Sequence, residues 1–142
     1  MILVKQFSFQ NKAMAEQAFA IRKVVFVEEQ GIDPALEYDH EEESHHYLAF
    51  LDDNAIATAR WRETESGIKL ERFAVLPQFR NRGVGARLLK TVLQDVAGSG
   101  KTIYLHSQLR AVPFYERNGF HKIGPQFSEA QIAHFKMQYT GQ

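Results

Sequence analysis

With 142 residues, 44% of them hydrophobic and 24% charged, the chain is long enough for one buried core, too short for two ordinary domains and too apolar for a disordered segment. Its 17 basic and 17 acidic side chains cancel, which argues against a nucleic-acid partner. Without a cysteine there is no disulfide framework, no thiolate nucleophile and no cysteine zinc site.

The N-terminus MILVKQFSFQ lacks the basic start, long apolar stretch and small-residue cleavage site of a secretory signal, and no apolar run is long enough to span a bilayer. A cytoplasmic chain with no membrane partner is expected. No repeat, low-complexity tract or linker divides residues 1–142, which read as one domain. ILVKQFSF reads as a first strand. From Lys12 to Glu29, Met14, Ala18, Ile21 and Val25 fall four, three and four apart, the spacing of one helix face. Gly31, Asp33 and Pro34 break that pattern, and an irregular acidic segment runs on to His45. HYLAFLD and AIATARWRET read as strands joined by Asp52, Asp53 and Asn54. After the turn Ser66-Gly67 comes the strand IKLERFAVL, ended by Pro77.

Gly83 to Ala97 forms an amphipathic helix, with Val84, Leu88, Val92 and Val96 four apart and Leu89 beside them. TIYLHSQ is a strand of buried type, and a short helix around Val112 to Arg117 stops at Asn118-Gly119. Strands near Phe120 to Gly124 and from His134 to Thr140 close the chain. A helix between strands in an otherwise antiparallel order requires a parallel crossover, so the fold class is α/β with a mixed sheet. Phe7, Phe19, Phe26, Phe50 and Phe73 are read as core.

Charge is unevenly distributed along the chain. No Lys or Arg occurs between Val24 and Ala59, a stretch that includes Glu37, Asp39 and the run Glu41, Glu42, Glu43; Arg60, Arg62, Lys69, Arg72, Arg80, Arg82, Arg87 and Lys90 follow. The split suggests an acidic surface for one partner and a basic surface for another, or two solvated faces. His40, His45 and His46 among these glutamates lack a second rigid ligand set and read as a solvated loop, so no metal is expected.

Two glycine-rich stretches compete as phosphate cradles. GSGKT, residues 98 to 102, resembles the end of a nucleotide-binding loop, but the position that needs the first glycine of that motif holds Asp95. GSGKT also leaves a helix and enters a strand, so it faces the carbonyl end of the helix dipole. It is read as a linker, with Gly98 as the helix cap. RNRGVG, residues 80 to 85, has the opposite polarity: it leaves a strand and opens a helix, whose first-turn N–H groups lack partners within the helix. With Arg80, Arg82 and Arg87 it suits a polyanion such as a pyrophosphate, or else forms a tight turn with solvated arginines.

LERFAVLPQFRNRGVGARLL resembles the acetyl-coenzyme A signature of the GNAT N-acetyltransferases, and YLHSQLRAVPFYERNGF resembles their next strand and helix. IRKVVFVEEQGI and AHFKMQY further resemble the YjcF/ElaA-like branch. The resemblance implies a mostly antiparallel mixed sheet of six to seven strands, splayed at a cofactor cleft and flanked by about four helices. It implies acetyl-CoA as cosubstrate, with the backbone of Phe73, Ala74 and Val75 along the pantetheine arm and amides from Arg80 or Arg82 through Gly83, Val84, Gly85 and Ala86 on the pyrophosphate. It also implies a homodimer and an amine acceptor, small molecule or peptide, on the acidic side. Where many members carry an asparagine after the fifth strand, this chain has Ser107 and Gln108.

Acetyl transfer to an amine needs a deprotonated amine, a polarised carbonyl and a proton for the departing thiolate. Tyr115, in the FY pair, resembles the family's general acid, the other reading being a core tyrosine beside Phe114. Glu71 is the preferred base: a carboxylate inside LERFAV must face a cleft or a partner, and burial raises its pKa. The competing reading is a salt bridge to Arg60, Arg62 or Arg72, with His106 as the next candidate base. His134 enters the last strand with nothing in the sequence to fix its direction. An acetyl-CoA-dependent N-acetyltransferase is the leading function, and a catalytically silent CoA-binding sensor is the alternative.

Overall fold

In the computed structural model, which describes residues 1–141, seven strands form one sheet in the order β1-β2-β3-β4-β5-β7-β6. The strands are β1 Ile2–Phe7, β2 His45–Leu51, β3 Asn54–Thr64, β4 Gly67–Val75, β5 Ile103–Gln108, β6 Phe120–Glu129 and β7 Ile132–Tyr139. The helices are α1 Lys12–Arg22, α2 Pro34–Glu37, α3 Val84–Val96 and α4 Val112–Arg117. Every neighbouring pair is antiparallel except β4 and β5, which the α3 crossover makes parallel.

The two sheet faces are covered differently. On one, Val84, Leu88, Leu89, Val92 and Val96 of α3 pack against Leu70, Leu105 and Met137. On the other, Ala18, Ile21 and Val25 pack against Leu48 and Ala74. The side chain of Asn11 caps α1 by accepting from the Met14 amide at 3.2 Å. The helix then widens into a π-helical segment, Lys23–Glu29, before Gly31 turns the chain at φ 71°. Because side chains alternate along a strand, Lys69 and Glu71 of β4, His106 of β5 and His134 of β7 lie on the face opposite α3. That half of the face carries polar groups.

Three expectations change. The strand begun at Phe120 does not stop at Gly124 but bulges there and continues to Glu129. Gly98 is not the left-handed cap after α3: it lies in a 3-10 turn, and Gly100 takes φ 73°. The acidic segment is not wholly irregular, since Asp33 caps the short helix α2 by accepting from the Ala35 amide at 2.9 Å.

Candidate active site

β4 and β5 pair only at Ile68–Ile103, Lys69–Tyr104 and Leu70–Leu105. Beyond Leu70 they part, and the main chain of Phe73, Ala74 and Val75 is left without a strand on its β5 side. The gap opens a cleft of about 1100 Å³, large enough for a cofactor arm and an acceptor together. Strain marks the opening: Arg72 sits inside β4 at φ 57°, where the register with β3 also shifts.

At one end of the cleft lies RNRGVG. Asn81 and Gly83 take φ 63° and 79°, and the amides from Asn81 to Ala86 have no backbone partner among the described residues. A Cβ placed on Gly83 would meet nothing within 4 Å, so this glycine leaves open space where an anion can approach the helix N-terminus. A Cβ placed on Gly85 would lie 3.6 Å from Phe114 at its nearest. These residues fit a pyrophosphate. Arg80 fits it less well: its amide donates to Pro77, and its guanidinium donates to Val75 O at 2.9 Å and to both oxygens of Glu29 at 2.6 and 2.7 Å. Arg82 stacks its guanidinium over Phe79, 5.7 Å from the ring centroid. GSGKT is elsewhere, with Lys101 paired to Glu63 at 2.7 Å.

Tyr115 lies in α4 against Phe73, Phe114 and Phe120, with ring centroids 5.1 to 6.4 Å away. It lines the cleft, with its ring held among aromatic neighbours. Burial pushes the phenol's pKa up, so it keeps its proton and is available to donate. At the end of β5, Gln108 donates to Gln30 across the cleft at 2.7 Å, and Ser107 donates to the Gln108 carbonyl at 2.9 Å.

Glu71 departs from the sequence expectation. It is buried, but Arg62 lies at 2.8 Å, Arg60 at 3.0 Å and Lys69 at 3.2 Å. Burial alone would raise its pKa; the three cations, with the Arg62 hydrogen bond foremost, outweigh it and hold the carboxyl at about 2. A group that weakly basic is ionised at any physiological pH and accepts protons poorly. The ion-pair reading of Glu71 is the one this geometry carries.

The acidic segment is also differently employed. Arg22 holds Glu37 at 2.6 Å and Glu41 at 2.8 Å, Arg60 holds Asp39 at 2.9 Å and Glu41 at 3.0 Å, and Arg72 reaches Asp39 at 3.1 Å. Arg22, Glu37 and Arg60 are almost fully enclosed. Glu37 Oε2 is the one enclosed side-chain oxygen without a hydrogen-bond partner among the described residues, and burial raises the pKa of that carboxyl. The histidines do not form one solvated loop: His46 is buried, with Nε2 donating to the Glu41 carbonyl at 2.8 Å, His45 stacks on Trp61, and His40 bonds Glu43. No cluster of three or more His, Asp or Glu among the described residues is placed to hold a metal ion.

A second polar cluster was not legible beforehand. His106 donates Nδ1–H to Glu129 at 3.0 Å, and this bond is the main cause holding the Glu129 pKa below the usual carboxylate range. His134 donates Nδ1–H to the Ile132 carbonyl at 2.7 Å, since a carbonyl can only accept, and its Nε2 lies 3.8 Å from Glu129. All three line the cleft, as do Arg62, Lys69 and Glu71. The signal for Glu129 was its place at the end of a hairpin whose turn lacks the usual residues.

A family model for the acetyltransferase (GNAT) domain matches residues 10–140. The uncharacterised N-acetyltransferase YjcF of Bacillus subtilis (strain 168) is 34% identical over 130 residues, covering 89% of this chain and 93% of that protein. Protein YyaT of the same organism is 31% identical over 132 residues, 89% of each. Escherichia coli ElaA superposes with a TM-score of 0.86 at 23% identity, over 98% of this chain and 99% of that one. An aminoglycoside 6'-N-acetyltransferase complexed with coenzyme A gives 0.72 at 17% identity, over 96% and 95%. At those identities the solved structures establish the fold.

Proposed function

The chain belongs to the GNAT acetyltransferase family and is an acyltransferase; we propose that it transfers the acetyl group of acetyl-CoA directly to an amine of a small molecule or peptide. The supporting observation is the run of unpaired amides from Asn81 to Ala86, set in the same cleft as the unpaired edge of Phe73 to Val75. The first suits a pyrophosphate and the second an extended arm that adds to the strand. One structurally similar acetyltransferase was solved with coenzyme A bound.

His106 is the base in this reading. The ionised Glu129 holds its Nδ1–H and leaves Nε2 to take a proton from the acceptor ammonium. The free amine attacks the thioester carbon; the C–N bond forms as the C–S bond breaks, the second amine proton passes to solvent, and coenzyme A leaves as the thiol with a proton from Tyr115, which solvent then restores. The Tyr115 hydroxyl donates to the sulfur as charge builds on it, from its place in the cleft lining.

Thiol release from acetyl-CoA is measured against a panel of amines, with products identified by mass spectrometry. Tyr115→Phe and His106→Ala should each lower kcat/KM by about 10²-fold or more while acetyl-CoA affinity stays within about twofold. Acetyl-CoA binding with no turnover of any amine would instead favour the sensor reading.

A further inference from the structure

Three carboxylates of the acidic segment are matched internally. Glu37, Asp39 and Glu41 are taken up by Arg22, Arg60 and Arg72, three anions against three cations. They line or back the acceptor end of the cleft without leaving a negative charge unmatched there. An amine acceptor on the acidic side, which the resemblance implies, has little to bind to on that wall.

Two other groups remain, side by side on the open sheet face. Arg62 and Lys69 share the single carboxylate of Glu71, Arg60 being already matched. Arg62 Nη1 makes no hydrogen bond among the described residues, and the Lys69 ammonium has one ion-pair contact, at 3.2 Å. This leaves a surplus positive charge with open donors. Beside it Glu129 is ionised, and its near partners are two imidazoles rather than a fixed cation. Lys69 stands opposite Tyr104 on β5, and His106 follows two residues on along the same face and bonds Glu129. Lys69, His106 and Glu129 all line one cleft, so one small molecule can touch both groups. Resting on the transferase reading, we propose that the acceptor is an amine carrying its own carboxylate, an amino-acid-like zwitterion, with its carboxylate on Arg62 and Lys69 and its ammonium at Glu129 beside His106.

The placement matches charge with charge at both ends. It also sets the ammonium next to the base that must deprotonate it. A decarboxylated acceptor leaves the Arg62–Lys69 group unmatched, and an esterified one cannot accept its donors as an anion.

The test compares kcat/KM for amino acids with that for their decarboxylated amines and methyl esters, using thiol release and mass spectrometry. Amino acids should be preferred by about 10- to 100-fold, the scale of a charge-assisted pair. Lys69→Met should bring the ratio between amino acid and amine toward one, chiefly through the amino acid's KM, while calorimetry shows acetyl-CoA affinity retained. Amines or esters acetylated as well as their amino acids would overturn the assignment and leave the transferase reading standing. If acetyl-CoA binds but nothing on the panel turns over, the amino acids are titrated into the coenzyme A complex, and absence of binding by all of them overturns it. Failure of the wild type to bind acetyl-CoA removes the transferase reading itself, and the acceptor assignment with it.

Discussion

Replacing Glu71 by glutamine separates an ion-pair role from a basic one. The folded chain holds this carboxyl at about 2, against an ordinary value of 4.5. Each pKa unit is worth about 1.4 kcal/mol, so the ionised form contributes about 3 kcal/mol to stability. Glu71 is buried, so solvent screening takes little from this figure. Its folded pKa is depressed, so the contribution is fully present above the unfolded value of 4.5 and is lost as pH falls toward 2. Glutamine keeps the shape without the charge. The stability difference between wild type and Glu71→Gln, from urea titrations, should be about 3 kcal/mol at neutral pH and less than about half of that near pH 3. Taking the difference removes the other carboxyls that titrate in the same range. A difference independent of pH would refute the ion-pair account. A normal stability with a kcat/KM loss of about 10²-fold or more and a vanished acidic limb would restore Glu71 as the base.

Gly83→Val places a side chain in the open space at the start of α3, so it should weaken acetyl-CoA binding by about tenfold or more in calorimetry, whereas Lys101→Ala should leave it unchanged. The reverse order would move the cofactor to GSGKT. Arg72→Gly should be more stable than Arg72→Ala by about 1 kcal/mol in chemical denaturation, because alanine retains the left-handed strain at φ 57°. In an ordinary strand alanine would be the better of the two.

What could be read from the sequence was local. The glycine loop, α3 and α4 rest on signals within a few residues: left-handed glycines, an apolar stripe, and Asn118-Gly119 as a stop. The environment of Glu71 rests on partners from β3 and β4 that register alone brings together, so the sequence could pose the choice between base and ion pair without deciding it. The end of β6 was hidden for two reasons. Gly124-Pro125 looks like a terminus but makes a bulge, and the β6–β7 turn is built from Ala130 and Gln131 at φ 50° and 64° rather than from Gly, Asn or Asp. Losing that hairpin loses Glu129, and with it the partner that gives His106 its direction.

The acidic segment has a structural use that explains why its charges are matched inward. The cleft exists because β4 leaves β5 after Leu70, and the departure coincides with a non-glycine residue in the left-handed region, a conformation that persists only when its surroundings impose it. Those surroundings are the segment itself. The Arg72 guanidinium donates to the Leu36 and Glu37 carbonyls and to Asp39, and Asp39 and Glu41 are in turn fixed by Arg60 and Arg22. The carboxylates that look in the sequence like a docking surface for a cation thus act as a clamp on the strand that opens the cofactor site. Holding them in that role leaves recognition of the acceptor to the side chains of the open sheet face, where Arg62, Lys69 and Glu129 lie.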